Sequence, residues 1–163
     1  MNDVDLKELQ RSALWLIIDP WATSPNPEDN RREPNLDILN EIVLTKIIDY
    51  LPKLNHVAVS CGPTIHPLVK HIINLDYGSS DQSGPRQDKF QALIEYTEKN
   101  DIKDIVYVGF HHGMCIINRP IGAKNLSLCT DLRLYIKRDL VGVLPWSVPS
   151  DMDRDSSLYA KLI

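Results

Sequence analysis

The feature that most constrains the fold of this chain is a continuous apolar run, Ala13 to Ile18, that stops at Asp19-Pro20. A strand with one face in water alternates apolar and polar residues, whereas a strand covered on both faces is apolar throughout. The run therefore predicts a strand inside a parallel sheet. His56 to Ser60 and Asp104 to Phe110 predict two further strands.

Helical patterns separate these strands. A helix is predicted between Asn35, a plausible cap, and Pro52, because apolar residues recur there at intervals of three and four. A second helix is predicted from about Asp88 to Asn100. A third begins around Gly113 and is interrupted at Pro120, since proline cannot continue a helix.

Three segments are less regular. Leu68 to Leu75 fits a short helix that starts near Pro67, which we favour, but it could include a strand at Ile72 to Leu75. The stretches Trp21 to Asn35 and Asp76 to Gln87 are polar and rich in turn-forming residues. Both stretches therefore predict surface loops.

The two ends of the chain are expected to be peripheral. Leu132 to Lys137 predicts a last strand that ends at Arg138-Asp139. Residues 1–12 are expected to be an N-terminal extension, and residues 141–163 a tail that wraps the surface or packs on a neighbouring subunit. A chain of 163 residues suits a single domain, residues 1–163.

Strands that alternate with helices predict a three-layer α/β/α fold with a mostly parallel sheet, similar to the Rossmann fold. Ligands of such sheets bind at the carboxyl ends of the strands. The residues that come after the predicted strands are therefore the candidates for a site: Asp19, Ser60-Cys61, Phe110 to Cys115, and Asp139.

The composition excludes several classes of partner. A formal charge of -4 gives no long-range attraction for a polyanion, so we expect no nucleic acid. Residues 1–12 lack the basic start and apolar run of a signal peptide. No apolar stretch approaches the roughly 20 residues of a membrane span. We therefore expect a cytoplasmic protein with no membrane partner.

The cysteines and histidines do not show the spacing of a metal site. The three cysteines lie far apart and are expected to be free thiols: Cys61, Cys115 and Cys129. Four histidines lack a diagnostic spacing: His66, His71, His111 and His112. We therefore expect neither a metal nor another cofactor.

Cys115 is the candidate nucleophile. It lies just after a predicted buried strand and where a helix is predicted to begin. The partial positive charge of a helix N-terminus favours a thiolate, so the position predicts a lowered pKa. The alternative is a buried and inert cysteine, which is common in protein cores. Cys61 and Cys129 lack such a setting and are expected to be structural.

The chain resembles the isochorismatase-like cysteine hydrolases over about residues 13 to 140. Gly109-Phe110, four residues, then Cys115-Ile116 is similar to the family's G-F-x-x-x-x-C-V signature. The strand that ends at Asp19 resembles the family's first strand with its terminal aspartate. Leu134 to Asp139 resembles its later strand ending in aspartate.

The resemblance implies a hydrolase of small molecules, with an amide as one candidate substrate. Asp19 would take the proton of Cys115, and the thiolate would attack an electrophilic carbon. The backbone N–H groups of His111 and Cys115 would hold the oxyanion, with a cis peptide between Phe110 and His111. The family's habit of forming dimers or larger assemblies implies a homo-oligomer.

One family feature is missing from the sequence. Family members carry a catalytic lysine after the middle strand, but the corresponding stretch, Asp76 to Gln87, contains no lysine. Arg86 could supply positive charge there. Lys89 and Lys70 are the other candidates, and we favour Lys89. A solvated surface lysine is the alternative interpretation of both.

Other residues are expected to line the pocket. His111 or His112 would lie beside Cys115, and Trp21 could form an apolar wall for a planar substrate, although simple packing would also explain it. The main alternative function is a degenerate relative that keeps the fold for binding or assembly. A flavodoxin-like or nucleotide-binding domain fits less well, because Asp19-Pro20-Trp21 offers no glycine-rich phosphate loop.

Overall fold

The structure is a computed structural model that describes residues 4–22, 28, 31, 35–62, 64–76, 88–143 and 149–163, with the backbone alone at residues 149–152. Most of the first predicted surface loop lies outside these residues. The same holds for residues 77–87 of the second loop, which include the candidate Arg86.

A parallel sheet of five strands forms the centre of the molecule, in the order β2-β1-β3-β4-β5. The strands are β1 Leu14–Ile18, β2 His56–Ser60, β3 Asp104–Phe110, β4 Arg133–Gly142 and β5 Lys161–Leu162. The predicted α/β fold with a parallel sheet is therefore confirmed. Ile18 pairs with Ser60 on one side and Gly109 on the other, so the ends of β1, β2 and β3 lie level.

Helices cover both faces of the sheet. They are α1 Leu6–Ser12, α2 Leu36–Ile48, α3 Lys89–Lys99, α4 Cys115–Asn118, α5 Ala123–Cys129 and α6 Pro149–Ser156. The segment after Pro67, which could be a short helix or include a strand, has part of each structure. It forms a short 3-10 helix, Pro67–Val69, and Asn74 then makes a parallel bridge to Val59.

The side chains of β1 show why its sequence is apolar throughout. Leu14, Leu16 and Ile18 join a core cluster with α3, α4 and α5. Trp15 and Ile17 point to the other face and join a cluster with α1 and α2. Alternate residues of one strand are therefore buried in two separate cores, as a three-layer fold requires.

The fourth strand is longer than predicted. Tyr107 pairs with Ile136, but Gly109 pairs with Val141, so residues 137–140 bulge out opposite Val108 alone. The bulge carries Asp139, whose side chain is 61% exposed and binds Lys137. Asp139 was a candidate for the site, and this was wrong, because the strand continues past it and the bulge turns its carboxylate to solvent.

Both chain ends contribute to the core or the sheet. In the expected N-terminal extension, α1 buries Leu9 against the second core cluster. The expected C-terminal tail adds β5 to the sheet, and Ile163 donates its N–H to the carbonyl of Ile136 at 3.0 Å. None of the helices in the described ranges has the length and apolar character that crossing a membrane requires.

Candidate active site

Asp19 and Cys115 meet at the carboxyl ends of the strands. Asp19 comes directly after β1, is fully buried, and has a φ of 49°, a conformation that aspartate and asparagine tolerate better than most residues. Cys115 begins α4 after β3 and is partly buried. The thiol and the carboxylate interact through charge and a side-chain hydrogen bond. The structure therefore brings the two residues into one site.

The segment between β3 and α4 directs a backbone donor toward the thiol. The peptide bond between Phe110 and His111 is cis, as the family resemblance implies. The backbone N–H of His111 hydrogen-bonds the sulfur of Cys115 and favours its thiolate. A carbonyl group attacked by the sulfur would therefore lie close to this N–H, which could donate a hydrogen bond to the carbonyl oxygen.

Arg119 supplies a cation next to the thiol, and it was not among the residues predicted from the sequence. It caps α4, one turn after Cys115. Its Nη2 binds Oδ1 of Asp19, and its Nη1 lies 3.2 Å from Oγ of Ser60 and 3.6 Å from Oδ2 of Asp76. Arg119 also hydrogen-bonds the thiol. Its spacing of four residues from Cys115 places both side chains on one helix face, which is a signal that the sequence contained.

Asp76 adds a second buried carboxylate behind the first. Its Oδ1 accepts a hydrogen bond from Oγ of Ser60 at 2.9 Å, and its Oδ2 lies 2.9 Å from Nζ of Lys89. Lys89 therefore reaches the site through Asp76, and its side chain is only 14% exposed. Lys70, the other lysine candidate, is exposed. Two carboxylates and two cations thus alternate in a chain that starts beside the thiol, in the order Asp19, Arg119, Asp76 and Lys89.

The environment raises the pKa of the Cys115 thiol to about 11. Burial is the main cause, and the charge and hydrogen bond of Asp19 add to it, while Arg119 and the His111 N–H oppose it. The prediction of a lowered pKa was therefore wrong. The helix that begins at Cys115 has a single turn, so its partial charge is outweighed by desolvation and by the neighbouring carboxylate.

The pKa of Asp19 is also raised, mainly by burial and further by the charge of Asp76. Arg119 opposes this shift by its charge and hydrogen bond, and so does the hydrogen bond from Cys115. The thiol and the carboxylate share a hydrogen bond, so the carboxylate is placed to accept the thiol proton.

An aromatic cluster lies at the cis peptide bond that precedes the cysteine segment. The Trp21 ring meets the rings of Phe110 and His111 edge to face, with centroids 5.9 Å and 5.1 Å away. Burial, with the charge of Arg119, lowers the pKa of His111 to about 4, so its ring is neutral at physiological pH. Within the described part of the chain, neither His111 ring nitrogen nor Nε1 of Trp21 has a hydrogen-bond partner.

His112 faces another part of the molecule. Its ring is buried, and Nε2 lies 2.8 Å from Oγ of Ser156 in α6. Its backbone N–H donates to the carbonyl of Gly142 at the end of β4. Burial, with the charge of Arg138, lowers the pKa of His112. His112 therefore holds the C-terminal helix in place, and its ring bonds to that helix.

The two remaining thiols differ in their surroundings. All three cysteines are free, as expected. Cys61 is buried in a small cluster with Trp21, Leu36 and Phe110, whereas Cys129 is exposed. Among the described residues, no three histidine, cysteine, aspartate or glutamate side chains are grouped to hold a metal ion.

A depression in the surface leads to the thiol. It has a volume of about 400 Å³ and is lined by Met114, Cys115, Asn118, Arg119 and Pro120. Most of this lining is apolar. The sulfur is therefore reachable by a small molecule with an apolar body.

Comparisons with known proteins identify the fold. No family model and no curated protein matches the sequence. The structure is similar to an isochorismatase-like hydrolase from Alkaliphilus metalliredigens, with a TM-score of 0.56 and 16% identity over 94% of this chain and 93% of that one. It is also similar to the YcaC gene product from Escherichia coli, an octameric hydrolase of unknown specificity, with a TM-score of 0.54 and 16% identity over 100% of this chain and 79% of that one.

A third similar structure is YcaC from Pseudomonas aeruginosa with hexane-2,5-diol and covalent acrylamide, with a TM-score of 0.51 and 15% identity over 93% of this chain and 75% of that one. The similarity to all three proteins extends over nearly the whole chain and includes the sheet that carries Asp19 and the cysteine segment. The chain therefore has the isochorismatase-like hydrolase fold.

Proposed function

We propose that this protein is a small-molecule hydrolase in which Cys115 is the nucleophile and Asp19 the base, acting on an amide or a related C–N bond. The observation that carries the proposal is the contact between a buried carboxylate and a thiol that a small molecule can reach. A thiol that adds to a carbonyl needs such a base, because the neutral thiol is a weak nucleophile. The covalent acrylamide in the similar YcaC structure agrees with a reactive group in this fold.

The first half of the reaction forms a thioester. As sulfur bonds to the carbonyl carbon, its proton moves to Asp19 and the C=O electron pair moves onto oxygen. The His111 and Cys115 N–H groups stabilise this oxyanion. The C–N bond then breaks, and the leaving nitrogen takes the proton from Asp19.

Water completes the second half. Asp19 accepts a proton from the attacking water, the C–S bond breaks, and sulfur recovers a proton as the carboxylic acid leaves. Arg119 favours the ionised form of Asp19, and its guanidinium does not exchange protons at ordinary pH. Proton transfer in both halves therefore runs between Asp19, sulfur and the substrate, and Lys89 balances the charge of Asp76.

A second candidate function is binding without turnover. Two observations favour it: Arg119 already pairs with Asp19, and the pKa of Cys115 is raised to about 11. A paired carboxylate is a weaker base, and a protonated thiol a weaker nucleophile. A protein of this kind would bind the same small molecules in the same site and leave them unchanged.

Turnover assays separate the two candidates. The purified protein is incubated with a panel of small primary amides, secondary amides and cyclic imides, and amine or ammonia release is measured. The Cys115 peptide is examined by mass spectrometry for an acyl adduct. We expect release and an adduct in the native protein, with both lost in Cys115→Ser and release lost in Asp19→Asn.

Cys129→Ser is the matched control, because Cys129 is a free and exposed thiol. This variant should retain full activity. Release that persists in Cys115→Ser would contradict the proposal. Amides that bind without being cleaved would establish the second candidate.

We also propose that residues 1–163 form one domain of a cytoplasmic homo-oligomer. The octameric YcaC protein with this fold supports the assembly, and exposed Ile38 and Ile42 on α2 supply apolar surface that a partner could cover. Light scattering coupled to size-exclusion chromatography tests this. A monomer at micromolar concentration would contradict it.

A further inference from the structure

Arg119 contacts both of the groups that react in the proposed first step. Its guanidinium binds the carboxylate of Asp19 and hydrogen-bonds the thiol of Cys115. The Arg119 side chain is 20% exposed and lines the depression together with Cys115, whereas Asp19 is fully buried. A small molecule in the depression would therefore meet the sulfur and the guanidinium next to each other.

Further contacts hold the guanidinium in this position. Its Nη1 lies 3.4 Å from the carbonyl oxygen of Ser60, 3.2 Å from Oγ of the same residue and 3.6 Å from Oδ2 of Asp76. Asp76 is also paired with Lys89, so Arg119 is not its sole cation. A guanidinium presents five donors in a rigid fork, and one side chain can therefore bind Asp19 while it is held from the other side.

We propose that Arg119 is a third catalytic residue of the site, a fixed cation that stays next to the negative charge as this charge passes from Asp19 to Cys115. The inference rests on the proposed function and adds the group that stabilises its first step. In that step the S–H bond breaks, an O–H bond forms on Asp19, and the negative charge moves from the carboxylate to the sulfur. Because Arg119 contacts both groups, the cation adjoins the charge before and after the transfer.

Both anions need a cation in this environment. Burial raises the pKa of Asp19 and the pKa of Cys115, and it therefore favours the protonated form of each group. The charge of Arg119 opposes both of these changes in pKa. A guanidinium also remains charged at ordinary pH, so its effect persists while the proton moves between its two partners.

The alternative is that Arg119 forms an ion pair of purely structural value. The chain contains another arginine bound to a buried aspartate, because Arg133 makes two hydrogen bonds of 2.6 Å to Asp104. These two residues begin β4 and β3, at the end of the sheet opposite the thiol. The Arg133 pair is therefore a matched control for the Arg119 pair.

The rate at which iodoacetamide alkylates Cys115 tests the inference without requiring turnover. The variants are made in an Asp19→Asn background, because a buried Asp19 that lost its cation would take up a proton and obscure the effect. The rate is measured at pH 8 on the Cys115 peptide by mass spectrometry. We expect Asp19→Asn/Arg119→Gln to react at least ten-fold more slowly than Asp19→Asn, because its thiolate lacks the adjacent cation.

Two further variants separate charge from structure. Asp19→Asn/Arg119→Lys keeps a positive charge and should recover most of the lost rate. Asp19→Asn/Arg133→Gln removes the control arginine and should react as fast as Asp19→Asn. Urea denaturation establishes that each variant is folded at pH 8, and Asp19→Asn/Arg119→Met replaces the glutamine variant should the latter not fold.

Two results would overturn the inference. One is an equal alkylation rate in Asp19→Asn and Asp19→Asn/Arg119→Gln, and the other is an equal slowing in the Arg133 control, since the effect would then not depend on the charge beside the sulfur. Failure of the proposed hydrolysis gives a different result. A native protein that cleaves no amide would contradict the hydrolysis, while slower alkylation without Arg119 would still identify this residue as the cation that stabilises the thiolate.

Discussion

The Arg119 guanidinium binds the buried Asp19 carboxylate, the proposed base of the site. It comes from the same short helix as the thiol. The family resemblance instead implies a lysine from the segment after the middle strand, where this chain carries Asp76. Arg119 and Lys89, which belong to two other elements, both approach the Asp76 carboxylate.

Alkylation of Cys115 should show the pH dependence of a buried, protonated thiol. A pKa of about 11, against an ordinary value of 9.0, lowers the thiolate fraction about a hundred-fold near neutral pH. We expect the iodoacetamide rate at Cys115 to rise continuously from pH 7 to about 11. A plateau below pH 8, measured on the Cys115 peptide, would contradict the environment described here.

Asp19→Asn should make the same thiol more reactive. The change removes the neighbouring negative charge and frees Arg119, and both effects favour the thiolate. Asparagine tolerates the φ of 49° at this position, so the backbone is preserved. We expect alkylation at pH 8 to be at least ten-fold faster than in the native protein, although the proposed hydrolysis would be lost. An unchanged alkylation rate would show that Asp19 does not act on the sulfur.

Removal of Arg119 should strongly destabilise the fold. Arg119→Gln leaves the carboxylates of Asp19 and Asp76, both fully buried, without their shared partner. Breaking a buried ion pair costs about 3–5 kcal/mol in the free energy of unfolding, which urea denaturation measures. Arg31→Gln is the control, because Arg31 and Glu28 form an exposed pair, worth about 0–1 kcal/mol. Equal losses in the two variants would contradict the role of Arg119.

The stability of the protein should depend on pH through His111. Its pKa in the folded state is about 4, below the unfolded value of about 6.5, so the unfolded chain takes up the proton first as the pH falls. The stability is therefore independent of His111 above about pH 6.5 and falls by roughly 3 kcal/mol between there and about pH 4.

Urea denaturation of the native protein and His111→Phe over pH 4–7 measures this loss. The difference in unfolding free energy between the two proteins should change across the window, because the other titrating groups are common to both. A constant difference would show that His111 is not held neutral by the fold.

The hydrogen bond between His112 and Ser156 should stabilise the C-terminal helix. Ser156→Ala leaves a buried imidazole nitrogen without its partner and should cost about 1–3 kcal/mol of unfolding free energy. Ser127→Ala is the control, because Ser127 is exposed and bonds within its own helix. Amide hydrogen exchange should accelerate in α6 of the first variant alone. Unchanged exchange there would mean that the bond does not hold the helix.

The sequence was most informative where structure depends on local pattern. His56 to Ser60 and Asp104 to Phe110 were predicted residue for residue, because continuous apolar runs between turn residues determine buried strands. The extension of β4 depends on a bulge opposite Val108, which has no local signature. β5 has only two residues, too few to show a period. The strand conformation of β5 therefore depends on its pairing with β4.

The sequence likewise predicts one part of the candidate site and leaves another part open. The positions of Asp19 and Cys115 result from two strand ends in one parallel sheet, so their meeting could be anticipated from the sequence. Spacing alone could place Arg119 on the face of Cys115, but the direction of that face depends on how α4 packs on the sheet. The raised pKa of the thiol also depends on burial, which no motif describes.

The arrangement of thiol and guanidinium depends on the four-residue separation of Cys115 and Arg119 in the sequence. Each inserted or deleted residue rotates the later part of a helix by about 100°, so a single indel between the two positions would swing the guanidinium away from the carboxylate. Chains that share the arrangement should therefore preserve the pattern C-x-x-x-R, while their middle loop is free to lose its lysine. Genomic sequences can be sorted by that pattern without any knowledge of what the proteins bind.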